Sequence, residues 1–174
     1  MLAYWLIAAM RTKADIKKET ITHRIQYLVL VMTGFSLVYS RFFSLGFFHE
    51  KIFTPNSWTQ YGGLALCAAG VGFAILARWW LGSNWSGTVI VKKDHELIQS
   101  GPYGITRHPI YTGIFLGLTG VAIIQGEWRS LFALFFLFAG LQMKMSREEK
   151  FMKEQFPGYE QYARKTKKII PFIY

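Results

Sequence analysis

The chain has 174 residues, of which 52% are hydrophobic and 17% aromatic, and it carries a formal net charge of +10. A soluble domain of this length could not cover so much apolar surface, which excludes a water-exposed globule. The charge does not mark a nucleic-acid binder, because long apolar runs separate the basic residues and no basic face collects them.

In chain order, residues 1–10 are apolar but too few to span a bilayer. No basic stretch precedes them, so they do not read as a signal peptide. They read as a short apolar helix, either the inner end of a longer one or a segment in the interface. A basic arm follows, with Arg11, Lys13, Lys17, Lys18 and Arg24. Four apolar segments come next: Ile25–Phe48, Trp58–Leu81, Pro109–Gln125 and Trp128–Met143. A bilayer core takes roughly 20 apolar residues in a helix. The first two segments meet this. The last two are shorter and form a helical hairpin turned at Gln125-Gly126-Glu127.

Gly62, Gly63, Gly70 and Gly72 in one segment, and Gly113, Gly117 and Gly120 in another, predict close helix packing. Cys67, the one cysteine, allows no internal disulfide and reads as a small core filler. The loop between the second and third segments, residues 82–107, holds a β-prone run from Thr88 to Val91 and a turn at "GPYG". Pro109 suits the first position of the next helix, which puts His108 at its cap. The tail begins as a helix running out of the membrane, "KMSREEKFMKEQF", and Pro157-Gly158 breaks it. "YEQYARKTKK" adds a turn or two of helix, and the apolar end "IIPFIY" returns to the bilayer surface.

Charge sets the orientation. Four crossings put the basic segments 11–24, 78–107 and 144–174 on one side, with 17 Lys and Arg between them. Only Arg41, Lys51 and Arg129 fall on or near the other side. The positive-inside rule makes the basic side cytoplasmic. The fold expected is an all-α integral membrane protein of about four full transmembrane helices, with a short N-terminal apolar helix and a cytoplasmic C-terminal helix. It is one domain, 1–174, in which residues 1–54 form the arm and first long helix. The outer loops are short, so any chemistry belongs to the inner face.

There the third helix presents free N–H groups and the positive end of its dipole, a place for a carboxylate or phosphate. Tyr103, His108 and Tyr111 add an aromatic, hydrogen-bonding wall. The hairpin returns the chain to the same side at Lys144, Arg147, Glu148 and Glu149, so "RHPIY" and "REE" should meet. An anion-binding helix end, rings and an acid together suit a zwitterionic, cationic cofactor. On the residues alone, His108 reads as a cap and His95 as a surface histidine. Glu149 and Lys153 form an i,i+4 pair in the favourable order, which makes Glu149 structural. Lys144 and Glu148 share that spacing in the poorer order.

"LGSNWS", "HELIQSGPYGITRHPIYTG" and "REEKFMKEQF" resemble the isoprenylcysteine carboxyl methyltransferase family of membrane enzymes. The related phospholipid N-methyltransferases share the "RHPxYxG" and "EE" signals. The resemblance covers roughly residues 55–174, the catalytic core it implies. It implies S-adenosylmethionine as methyl donor, bound by His95, Glu96, Leu97, Ile98, Tyr103, His108, Pro109, Ile110, Tyr111 and Glu148. The family has an arginine in its substrate site where this chain has Lys144. Lys144 and Arg164 are the cations expected to hold a carboxylate acceptor, which needs no general base. An amine acceptor must lose a proton, and Glu149 or His108 would take it. No metal site is read.

The acceptor expected is a lipophilic small molecule or lipid, met among membrane lipids at the cytoplasmic leaflet, in O-methylation as for isoprenylcysteine. The alternatives are a phospholipid or other amine N-methyltransferase, and a non-catalytic scaffold or transport subunit. A transporter would place ionisable residues mid-membrane, whereas here nearly all lie at the inner ends. The short N-terminal segment suits a bacterial inner-membrane member. No feature of the sequence sets an oligomeric state.

Overall fold

The computed structural model describes residues 15–39, 46–85, 90–92 and 97–170. Four long helices dominate it: α1 (Ile21–Tyr39), α2 (Ser57–Leu81), α3 (Pro109–Gln125) and α4 (Trp128–Gln155). A short α5 (Tyr159–Lys165) follows. By length and composition, α1 and the stretch Ser57–Asn84, which contains α2, could each cross a membrane, while α3 is a shorter apolar helix.

The helix ends follow local chemistry. Asn56 starts α2 with a full capping box: its side chain accepts from the Thr59 N–H, and the Thr59 hydroxyl accepts from the Asn56 N–H. Pro109 opens α3, where its missing N–H costs nothing. Gly126 ends α3 at φ +61°, a left-handed backbone that a side chain would strain, and so makes the hairpin turn.

The expected first span is shifted. Its helix begins at Ile21, four residues before the apolar run, and Gly46–His49 forms a separate 3-10 turn. Polar Thr22, His23 and Arg24 are carried into the helix because propensity tolerates them and packing along the rest of α1 holds them there. The last apolar segment and the charged tail form one unbroken helix, α4. One short ribbon accompanies the all-α bundle. Asp15–Lys18 (β1) pairs antiparallel with Ile90–Lys92 (β2), Lys17 opposite Val91 and Lys18 opposite Ile90. β2 overlaps the β-prone run. Nothing local marks β1, which is a strand only because β2 lies beside it.

The helices pack in two close antiparallel pairs, α2 with α3 and α1 with α4, joined by α3 against α4. Glycine makes the first pair possible. A Cβ on Gly70 would lie 2.6 Å from the Gly113 carbonyl oxygen, and one on Gly113 would lie 2.6 Å from the Ala74 nitrogen. Gly63 and Gly120 meet the same way one level outward, whereas a Cβ on Gly62 or Gly72 would meet nothing within 4 Å. Only part of the glycine pattern is therefore packing surface. On α1, Ile21, Ile25, Val29 and Met32 form an exposed apolar stripe, as a lipid-facing helix requires.

At the end that carries the Gly126 turn, the Lys51 ammonium donates to Glu127 at 2.7 Å and to the Gln125 carbonyl at 2.8 Å. Arg129 closes on the same carboxylate. At the other end, the buried Ile169 joins the core with Leu141 and Met145. The tail thus inserts its first isoleucine between helices, while Ile170 is exposed. Residues 171–174 lie outside the described residues.

Candidate active site

Three segments converge at the end of the bundle away from Gly126. The first is the 3-10 turn Gly101–Gly104. Gly101, at φ +58°, lets the turn lie flat on the Trp80 ring, and the Trp80 indole donates to the Ser100 hydroxyl at 3.1 Å. Pro102 and Tyr103 are thereby buried. The second is the start of α3. The third is α4 beyond Met143, with the tail folded back over it.

The tail is tied down by backbone. The Arg107 N–H donates to the Lys167 carbonyl at 2.8 Å and the His108 N–H to the Lys168 carbonyl at 3.2 Å. The Thr106 hydroxyl bonds the Lys168 carbonyl and the Thr112 hydroxyl the Ile169 carbonyl. The Tyr162 hydroxyl donates to the Tyr103 carbonyl at 2.7 Å, which joins α5 to the "GPYG" turn. Burial pushes the Tyr162 phenol up to about 12 and raises the Tyr103 and Tyr159 phenols as well. These hydroxyls stay protonated, and that of Tyr162 acts as a donor.

Within this frame "HPIY" meets "REE". The Tyr111 hydroxyl donates to Glu148 at 2.7 Å. His108 is at the cap position of α3, but its side chain makes no cap bond. Its ring lies between two carboxylates, Nδ1 3.5 Å from Glu148 and Nε2 3.2 Å from Glu149, and stacks on Tyr111 with centroids 5.7 Å apart. Burial disfavours the imidazolium, but its hydrogen bonds to both carboxylates outweigh this and raise the His108 pKa. Burial likewise disfavours ionised Glu148, and His108, Lys144 and Tyr111 more than offset it, so its pKa is lowered.

Glu149 does not serve an i,i+4 pair with Lys153. It accepts from Arg107 Nε at 2.8 Å and from His108, with Lys168 at 4.0 Å. Despite partial burial, His108 and Arg107 hold its pKa at about 2. The local spacing rule lost to a partner 42 residues away. A carboxylate held so low is a weak proton acceptor. Arg107 also donates to the carbonyls of Ala163, at 2.9 Å, and Thr166. It clamps α3, α4 and the tail together. In the sequence it stands inside "RHPIY", the motif that also carries His108 and Tyr111.

Lys144 faces the same wall. Its ammonium is 3.9 Å from Glu148, 5.3 Å from the Tyr111 ring centroid and 5.6 Å from that of Tyr27. Tyr27 is buried on α1 and its hydroxyl donates to Glu19. It lies outside the motif-bearing region, and no sequence signal marked it. Leu97 and Ile98 are half-buried, and Ile98 packs with Ala77, Tyr103 and Ile110. Pro109 is fully buried at the head of α3. Arg164 is exposed on α5, apart from the cluster. His95 and Glu96 lie outside the described residues. The buried Arg78 guanidinium lies over the Trp85 ring, 4.4 Å from its centroid.

Residues 58–158 match the family model described as phospholipid methyltransferase. The chain belongs to that family. Within it, this phospholipid methyltransferase family member is 31% identical over 129 residues to a cobalt-zinc-cadmium resistance protein of Cupriavidus metallidurans, covering 74% of this chain and 57% of that protein. It is 35% identical over 97 residues to the protein-S-isoprenylcysteine O-methyltransferase of Schizosaccharomyces pombe, covering 53% and 41%. The chain thus spans about half the length of the curated relatives it matches. Its fold matches the structure of the eukaryotic intramembrane Ras methyltransferase, isoprenylcysteine carboxyl methyltransferase. The TM-score is 0.57 at 27% identity, over 88% of this chain and 55% of that one. The family resemblance carried by the sequence motifs is borne out.

Proposed function

We propose that this chain is an integral membrane methyltransferase that uses S-adenosylmethionine and methylates the carboxylate of a lipophilic acceptor at the cytoplasmic leaflet. In this reading α1 to α4 are four crossings, and the basic inner ends lie in the cytoplasm. The observation that carries it is the part-buried Tyr111–Glu148–His108 cluster with Lys144 on the same wall.

The donor set fits the methyl donor. Glu148 keeps 22% of its side chain accessible while bonded to Tyr111 and His108, so a charged face remains for an ammonium group. When bound, S-adenosylmethionine supplies a methyl group on a positively charged sulfur. Glu148, Tyr111, His108 and Tyr103, with Pro109, Ile110, Leu97 and Ile98, are the residues that would hold it; His95 and Glu96 complete the set the resemblance implies. Burial of the wall excludes water, and Lys144 holds the acceptor carboxylate as a point charge. Arg164 would join Lys144 only if the acceptor reaches α5.

The family description supports a second reading, N-methylation of a phospholipid amine. It requires a base, and the two candidates are poorly suited: Glu149 is held at about 2 and His108 is stabilised as the cation. O-methylation is therefore the reading the electrostatics favour. The test is incubation of the purified chain in nanodiscs with methyl-labelled donor and extracted lipids. Label in base-labile esters supports the proposal. Label confined to amine headgroups supports the second reading, and no label with either class refutes both.

A further inference from the structure

The opposite face of α4 carries a second feature, an open groove of about 400 Å³ lined by Gln142, Met143, Ser146, Arg147, Lys150 and Lys168. At 100° per residue, 142, 143, 146, 147 and 150 share one side of the helix, and Glu148 points the other way. Three cations line the groove, and among the described residues no Asp or Glu does. Glu149 only approaches the rim, 4.0 Å from Lys168.

The donors are unevenly used. Lys168 donates to the Ser146 hydroxyl at 3.0 Å. Arg147 Nη2 donates to Gln26 on α1 at 2.9 Å, and its Nη1 is buried without a hydrogen-bond partner among the described residues. A guanidinium, two ammonium groups and a hydroxyl around one groove match a phosphate.

The depth identifies the source of that phosphate. The groove straddles the point where α4 changes from the apolar run ending at Met143 to the charged run beginning at Lys144. Headgroups occupy that level in a bilayer. Beside Gln26, the exposed stripe Ile25, Val29 and Met32 on α1 offers an apolar surface to acyl chains. We infer that this groove binds the phosphate headgroup of an anionic phospholipid, at a site separate from the methyl-transfer cluster and independent of that reading.

Native mass spectrometry of the full chain with phosphatidylglycerol tests this. One lipid should be retained per chain, and Arg147→Gln with Lys150→Gln should weaken retention about tenfold or more. Lys153→Gln with Lys165→Gln removes the same charge elsewhere and should leave retention unchanged. Thermal unfolding checks that the variants are folded. Should the double variant not fold, Lys150→Gln alone, at an exposed position, should still lower retention several-fold. Three outcomes overturn the inference: equal loss in the control pair, equal retention of phosphatidylcholine, or displacement of the lipid by millimolar inorganic phosphate.

Discussion

Glu149→Gln separates a local ion pair from a tertiary clamp. The substitution keeps the shape and one acceptor but removes the charge shared by Arg107 and His108, whose side chains are only 14% and 9% exposed. Holding the carboxylate at about 2 rather than 4.5 corresponds to roughly 3 kcal/mol. Breaking a buried pair from one side costs about 3–5 kcal/mol. Glu148 remains to share the His108 charge, so the loss should sit near 3 kcal/mol. For a chain of this size that is roughly 6–12 °C in Tm, read by thermal unfolding in mild detergent at pH 7. The pH profile sharpens the test. A lowered carboxylate contributes fully above 4.5 and loses its contribution as pH falls toward 2; the variant should flatten that acid limb. A raised histidine contributes fully below 6.5 and loses its contribution as pH rises through its native value; that limb should move to lower pH in the variant, which has one carboxylate fewer. Lys153→Ala, at an exposed position, should shift Tm by less than 1–2 °C. Equal shifts in the two variants, or an unchanged acid limb in Glu149→Gln, would refute the clamp.

Three further outcomes follow from the geometry. Glu148→Gln removes a charged partner worth roughly 1.5–3 kcal/mol, so calorimetry should show S-adenosylmethionine affinity falling by about 10- to 100-fold. Lys144→Met should leave that affinity nearly intact and depress methyl transfer, while Lys144→Arg is tolerated; equal loss of affinity in Lys144→Met and Glu148→Gln would make the two merely a structural pair. Gly70→Leu drives a side chain into the Gly113 and Gly117 backbone and should cost about 3 kcal/mol or more, lowering Tm in fluorescence-detected gel filtration, whereas Gly72→Leu, which meets open space, should be near neutral.

The parts of this fold that were legible are those where one local signal dominates. The apolar runs of α2 and α3 give their bounds almost to the residue, because burial and capping agree there: Asn56 and Pro109 mark starts, Gly126 a stop. The meeting of Tyr111 with Glu148 was legible because a short hairpin must return α4 beside α3. What the sequence hid is partner choice. Helical spacing puts Lys144 and Glu148 on one face, but it cannot say that α1, joined through a long connection, supplies Tyr27 to the other side of that ammonium. Nor can it show that Arg107 will outcompete Lys153 for Glu149. That competition is decided by burial. An exposed i,i+4 pair gains only about 0.2–0.5 kcal/mol, and a half-buried guanidinium that also satisfies two tail carbonyls gains several times more. Helix-surface rules therefore misassign ionic partners wherever a tail folds back over a helix face, as residues 166–169 do here. The positions most exposed to this error are the charged ones beside the site, because the site is where the segments converge.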